Sequence, residues 1–264
     1  MDIVLLIILG MATGWVSAFL GVGGGFFMVP LLYALFPTLP HGTVIATSLG
    51  VISVNATMNV WLYQKKGLQS ERSIWLPMAP GLLIGAVIGS ESVLLLPTSL
   101  VKKIFAISLL IIAARMLLKK AETTIESEAT VPVKPFWLWS FLLGSLAGFA
   151  SGLTGLGGGV VLIPIFFLVF QMSARLVPFY SNILMVYAAI AGSIRFGLAS
   201  GVRPLLYPHW QVGHINLLLI LNILVGSLMS NRFGVSASLK TSEPVKRYLF
   251  ILLLFVFSAK MFLA

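Results

Sequence analysis

The sequence predicts an all-α polytopic membrane protein built from two five-segment repeats in opposite orientations, with helices interrupted at glycine-rich loops. Three observations predict it. Of the 264 residues, 59% are hydrophobic and 9% are charged, with a mean hydropathy of +1.05. A soluble domain carries roughly 25% charged residues, so the solvent for most of this surface must be lipid. Apolar runs recur along the whole chain, and one glycine-rich motif occurs twice at a fixed distance.

Glycine, proline and charged residues divide the chain into ten apolar segments, at 3–20, 26–36, 43–63, 74–91, 101–118, 136–153, 160–172, 177–199, 212–231 and 246–263. Most reach the roughly 17 to 25 residues that cross a bilayer. The segments 26–36 and 160–172 are too short, which predicts half-helices or helices packed inside protein. The first segment lacks the basic start of a signal peptide, since the first basic residue is Lys65, and is expected to stay as a membrane helix. Residues 119–135 are the one sustained polar stretch, rich in Glu and Thr with Pro132 and Pro135. They read as a cytoplasmic linker between a first transmembrane repeat, 1–118, and a second, 136–264.

The repeat rests on aligned residues. Gly14, Ser17, Gly21, Gly23, Gly24, Gly25 and Pro30 recur at an offset of 134 as Gly148, Ser151, Gly155, Gly157, Gly158, Gly159 and Pro164. An odd number of spans in each half would invert one half relative to the other. Charge tests this through the excess of Lys and Arg in cytoplasmic loops. With both termini outside, the cytoplasmic side receives Lys65, Lys66, Arg72, Arg115, Lys119, Lys120, Lys134, Arg175, Arg232, Lys240, Lys246 and Arg247. The outside receives only Lys102, Lys103, Arg195, Arg203 and Lys260.

The runs from Gly21 to Phe27 and from Gly155 to Val161 are the candidate site. Backbone N–H groups left uncovered by glycine, followed by a helix N-terminus, form an anion-binding concavity. Two interrupted helices at matching positions point to the substrate site of a carrier. Gly21, Gly23, Gly24, Gly25, Gly155, Gly157, Gly158 and Gly159 are therefore predicted to bind substrate. Isolated glycines such as Gly85 and Gly89 are predicted to let helices approach closely. Polar residues at membrane depth add Thr47 and Ser48, which the same offset matches to Ser181 and Asn182. These pairs read equally as anion donors or as bonds between helices, whereas Asn55, Asn59 and Asn222 read as bonds between helices. Arg195 falls within a predicted span and is a candidate anion contact, with snorkelling to the interface as the alternative.

Other classes are disfavoured. The chain has no cysteine and only His41, His209 and His214, which argues against metal clusters and cofactors. Bases at the ends of apolar runs form no phosphate-tracking patch, so nucleic acid is not expected as a partner. All seven acids lie in loops or at segment ends, which disfavours a carboxylate-based cation carrier and an enzyme. His214 leaves protons as a candidate coupling ion.

The doubled motif, with the Ala46–Leu49 element and the Gly85/Gly89 and Gly226 segments, resembles the sulfite exporter TauE/SafE family along both halves. YSNI at 180–183 departs from ATSL at 46–49. The resemblance implies secondary transport of a sulfur oxyanion or organosulfonate, such as sulfite, thiosulfate or a sulfoacetate-like anion, across a bacterial cytoplasmic membrane. A passive anion channel and a non-transporting assembly subunit are the alternative readings.

Overall fold

A computed structural model describes residues 3–36, 39–97, 137–173, 175–199 and 210–263, together with scattered positions between 100 and 117. The linker 119–135, most of segment 101–118, Arg115, Arg203, His209 and the Lys260 side chain lie outside the described residues.

The helices are α1 (Ile3–Leu20), α2 (Gly25–Leu35), α3 (His41–Lys65), the short α4 (Arg72–Trp75), α5 (Ala79–Leu95), α6 (Trp137–Thr154), α7 (Gly159–Leu168), α8 (Val177–Gly197), α9 (Leu217–Lys240) and α10 (Glu243–Leu263). Strands β1 (Gln211–Val212) and β2 (Ile215–Asn216) form a small antiparallel hairpin before α9. Among the described residues, six helical stretches are long and apolar enough to cross a membrane: α1, α3, α4 with α5, α6, α8 and α9. Their exposed flanks carry large apolar side chains such as Ile8, Trp61, Ile88, Trp139, Ile194 and Phe233, as a lipid-facing surface requires.

Small residues set the closest helix contacts. A β-carbon built on Gly10 or Gly14 of α1 would overlap the carbonyl of Ile223 or Ser227 of α9, and one on Gly226 would overlap that of Ile7. Along α5 and α6 the same relation holds for Gly81, Gly85 and Gly89 against the carbonyls of Phe141, Ser145 and Phe149. Backbones this close exclude any side chain larger than hydrogen, so Gly85 and Gly89 serve packing as predicted.

Residue numbers rise together along both contacts, so α1 runs parallel to α9, and α5 to α6. Between α3 and α8 the order reverses: Asn59 meets Asn182, whereas Leu49 meets Gly192. These two helices are antiparallel and form the centre of the molecule, buried along much of their length.

The two largest boundary differences from the expectation lie in one segment. The ninth segment was expected over 212–231, but its first residues form the hairpin, with Gly213 at φ 57° in the turn and the Asn216 side chain accepting from Leu219 N–H at 3.1 Å. Such a cap fixes where the helix starts. At the other end α9 continues to Lys240, because Ser230, Asn231 and Ser238 are buried against neighbouring helices instead of marking a loop. Asn222 bonds within its own helix, to Leu218 O at 2.9 Å, and to no other helix among the described residues.

Candidate functional site

Each glycine run is a tight, buried break between a long and a short helix. The first closes with Gly21 N–H donating to Ser17 O at 2.9 Å, the second with Gly155 N–H donating to Ser151 O at 2.8 Å. The chain then passes through left-handed geometry at Gly21 (φ 72°) and Gly23 (φ 73°), and at Gly155 (φ 74°), Gly157 (φ 72°) and Gly158 (φ 79°), a region that side chains rarely adopt. The next bonds are Phe26 N–H to Gly23 O at 3.3 Å and Val161 N–H to Gly158 O at 3.0 Å. Among the described residues, no protein acceptor meets the N–H groups of Val22, Gly23, Gly24 and Gly25, or those of Leu156, Gly157, Gly158 and Gly159. Buried backbone donors without acceptors are rare in folded proteins. Each set opens a helix, α2 or α7, where the dipole adds positive character.

The two loops touch. Ser48 Oγ donates to Gly155 O at 2.5 Å, and Ser181 Oγ donates to Gly21 O at 2.7 Å. A β-carbon on Gly25 would overlap the Gly155 carbonyl, and one on Gly159 the Val22 carbonyl. Met185 packs on Gly23, and Ile52 on Gly157. The reciprocal bonds put Ser48 opposite Ser181, an offset of 133 instead of 134. The stretch from the glycine run to this serine is one residue shorter in the second half, which shifts the register.

The predicted polar residues divide by what they already bind. The hydroxyls of Ser48 and Ser181 hold the opposite loop. Asn182 donates through Nδ2 to Pro178 O at 2.7 Å and accepts at Oδ1 from Asn59 Nδ2 at 3.0 Å. Asn59 Nδ2 also reaches Ser17 Oγ at 3.4 Å. Thr47 and Ser151 are buried, with hydroxyls that have no partner among the described residues. Ser151 was visible in the sequence only as a matched position of the repeat. Asn59 was expected as a link between helices, and it links α3 to both α1 and α8 beside the first loop.

Arg195 is not brought to the loops. It lies in the last turn of α8, about 20 Å along the helix from Ser181, and its guanidinium pairs with the Glu91 carboxylate of α5. His214, in the hairpin beside it, donates its backbone N–H to Phe196 O at 3.0 Å and sets its ring edge-on to Phe196. Burial, then the charge of Arg195, pushes the His214 imidazole below its usual pKa.

A paired set of buried, unmatched donors at helix breaks is the arrangement expected of a transporter, and sequence comparison agrees. The profile of the family "Sulfite exporter TauE/SafE" matches residues 6–261. The chain belongs to that family. It is 28% identical over 265 residues to a "probable membrane transporter protein" of Haemophilus influenzae, covering 98% of this chain and 95% of the relative. A protein of the same description from Methanocaldococcus jannaschii is 28% identical over 90% of this chain and 87% of its own length. A third, from Bacillus subtilis, is 24% identical over 91% of this chain and 90% of the relative. No solved structure gives a significant match. The TauE/SafE protein described here is thus a multi-pass membrane transporter and not an enzyme.

Proposed function

We propose that the protein is a secondary carrier for a small oxyanion, a sulfur oxyanion or organosulfonate, bound between the two glycine loops. The observation that carries this reading is the double row of buried N–H groups without acceptors, from Val22 to Gly25 and from Leu156 to Gly159. An oxyanion offers several acceptor oxygens, and its charge suits two helix N-termini facing it. The free hydroxyls of Thr47 and Ser151 add neutral donors without the desolvation cost of a buried cation. Ser48, Ser181 and Asn182 then position the loops, and Arg195 stands outside the site. The family name favours sulfur chemistry among the anions that such a site would accept.

Alternating access follows from treating the halves as inverted repeats. A two-fold axis perpendicular to the helices turns the parallel α1/α9 pair into the parallel α6/α5 pair and maps antiparallel α3 and α8 onto each other. One repeat rocking against the other would expose the loops to each face in turn. The positive-inside rule assigns the face on which α3 ends to the cytoplasm of the cytoplasmic membrane, and both termini to the outside.

The test is flux into vesicles holding the purified protein, with sulfite, thiosulfate, sulfoacetate, taurine and small carboxylates offered in turn, with and without a pH gradient. Uptake of sulfur anions that responds to the gradient is the expected result. Selective uptake of a metal cation would overturn the proposal, and gradient-independent, non-saturating flux would make the protein a channel.

A further inference from the structure

Two apolar side chains stand where the glycine loops meet, and both are fully buried: Ile52 of α3 and Met185 of α8. Each follows by about one helical turn the serine that holds the opposite loop, Ser48 or Ser181, and so lies on the same helix face. A β-carbon on Gly23 would lie 2.7 Å from Met185 Sδ and 3.5 Å from Ile52 Cγ2, and one on Gly157 would lie 2.8 Å from Ile52 Cγ2 and 3.5 Å from Met185 Sδ. Ile52 Cδ1 also covers Gly25, and Met185 Sδ covers Gly159, at 2.8 Å from the added carbon in both cases. Each side chain thus touches both loops, and the pair forms an apolar wall beside the two rows of N–H groups.

A polar and an apolar wall side by side select by how an anion distributes its oxygens. Sulfite, thiosulfate and organosulfonates share a pyramidal SO3 group whose three oxygens point to one side; the fourth position is a lone pair, a sulfur or a carbon. Sulfate and phosphate carry oxygen there as well. The N–H rows can satisfy three oxygens. A fourth one pressed on Ile52 and Met185 would be buried without a donor, which costs about 5- to 100-fold in affinity. A weakly hydrated sulfur or carbon at that vertex gains from burial instead. Ile52, stiff at χ1, fixes where the vertex sits, whereas Met185, unbranched and polarisable, adapts to vertices of different size.

We infer that Ile52 and Met185 are the specificity-determining pair of the site, reading the non-oxygen vertex of an SO3 group and turning away anions with four oxygens. This rests on the carrier reading above.

Thiosulfate and sulfate make the test, because both are dianions of similar shape that differ at one vertex. Competition by each against sulfite uptake is measured in vesicles holding the purified wild type, Met185→Gln, Met185→Leu or Ile52→Thr. In the wild type, thiosulfate should compete at least about tenfold more tightly than sulfate. Met185→Gln offers a donor to the fourth oxygen and should bring the two within about threefold of each other. Met185→Leu, apolar and close in volume, should keep the wild-type ratio. Ile52→Thr should lower the ratio in the same direction as Met185→Gln, so the test stands even if the glutamine variant does not insert. The ratio does not depend on how much protein is folded, which separates selection from packing. Equal competition by the two anions in the wild type, a ratio that neither polar variant moves, or one that falls as far in Met185→Leu as in Met185→Gln would overturn the role of the pair while leaving the carrier intact. A wild type that takes up neither sulfite nor thiosulfate defeats the carrier reading itself, and this inference with it.

Discussion

The two glycine loops are nearly the same object, yet their surroundings are not. Both break a long helix through left-handed glycines, and both have a carbonyl held by a serine of the other half. Beside the first loop, Asn59 joins Asn182 and Ser17; at the equivalent place near the second, Leu49 packs on Gly192 and the Ser151 hydroxyl is left without a partner. Asn55, close to Ser227 and Asn231, adds polarity on the side of α9. The shared backbone suits the proposed binding of one anion from two sides. The side chains beside the two loops are unequal, amides at the first and mainly aliphatic packing at the second.

The sharpest way to break the likeness between the loops is to fill them. Gly25→Ala and Gly159→Ala put a methyl group into the opposite carbonyl, and each should abolish sulfite flux while the protein still inserts and elutes as a single species. A variant that transports normally would show that its loop is not needed. Next in size is Asn59→Leu. It strips Asn182 Oδ1 and Ser17 of a buried partner, at about 1 to 3 kcal/mol, and should lower the thermal midpoint by several degrees. Gly192→Ala meets mainly the flexible tip of Leu49 and should change the midpoint much less.

The hydroxyls give a smaller contrast. Ser48→Ala removes a loop anchor and should cost about 1 kcal/mol of stability. Thr47→Val removes a hydroxyl with no protein partner, so stability should hold while KM for the anion rises about fivefold. Equal stability losses would place both hydroxyls in packing alone. The smallest effect concerns the hairpin packed between the start of α3 and the end of α8. His214 has a lowered pKa when folded, so an unfolded hairpin takes up a proton first as pH falls through about 6.5. The stabilisation from its neutral ring is present above that pH and lost below it. Trp210 fluorescence should report the hairpin loosening in mild acid, and His214→Gln should remove the pH dependence.

What the sequence revealed follows from what each signal depends on. Lipid exposure and glycine breaks are local properties, so the spans, the loops and the packing role of Gly85 and Gly89 could be read directly. The one-residue shift that pairs Ser48 with Ser181 arises in the connections to α3 and α8, where a fixed offset carries no information. Buried Asn231 and Ser238 lowered the hydropathy of α9 and hid its last turns, because polar residues facing protein look like a loop end. Arg195 looked like a lone cation in a span, since nothing in the sequence ties it to Glu91 more than a hundred positions away. Thr47 and Ser151 stand out only once the partners of their neighbours are known.

An oxyanion held by the N–H groups of the two loops would stabilise the folded protein. Thermal unfolding of the detergent-purified protein, with and without sulfite or thiosulfate, tests it most directly. The anion should raise the midpoint of the wild type in a saturable way, and fail to do so in Gly25→Ala and Gly159→Ala. A saturable rise of equal size in both glycine variants would contradict the claim.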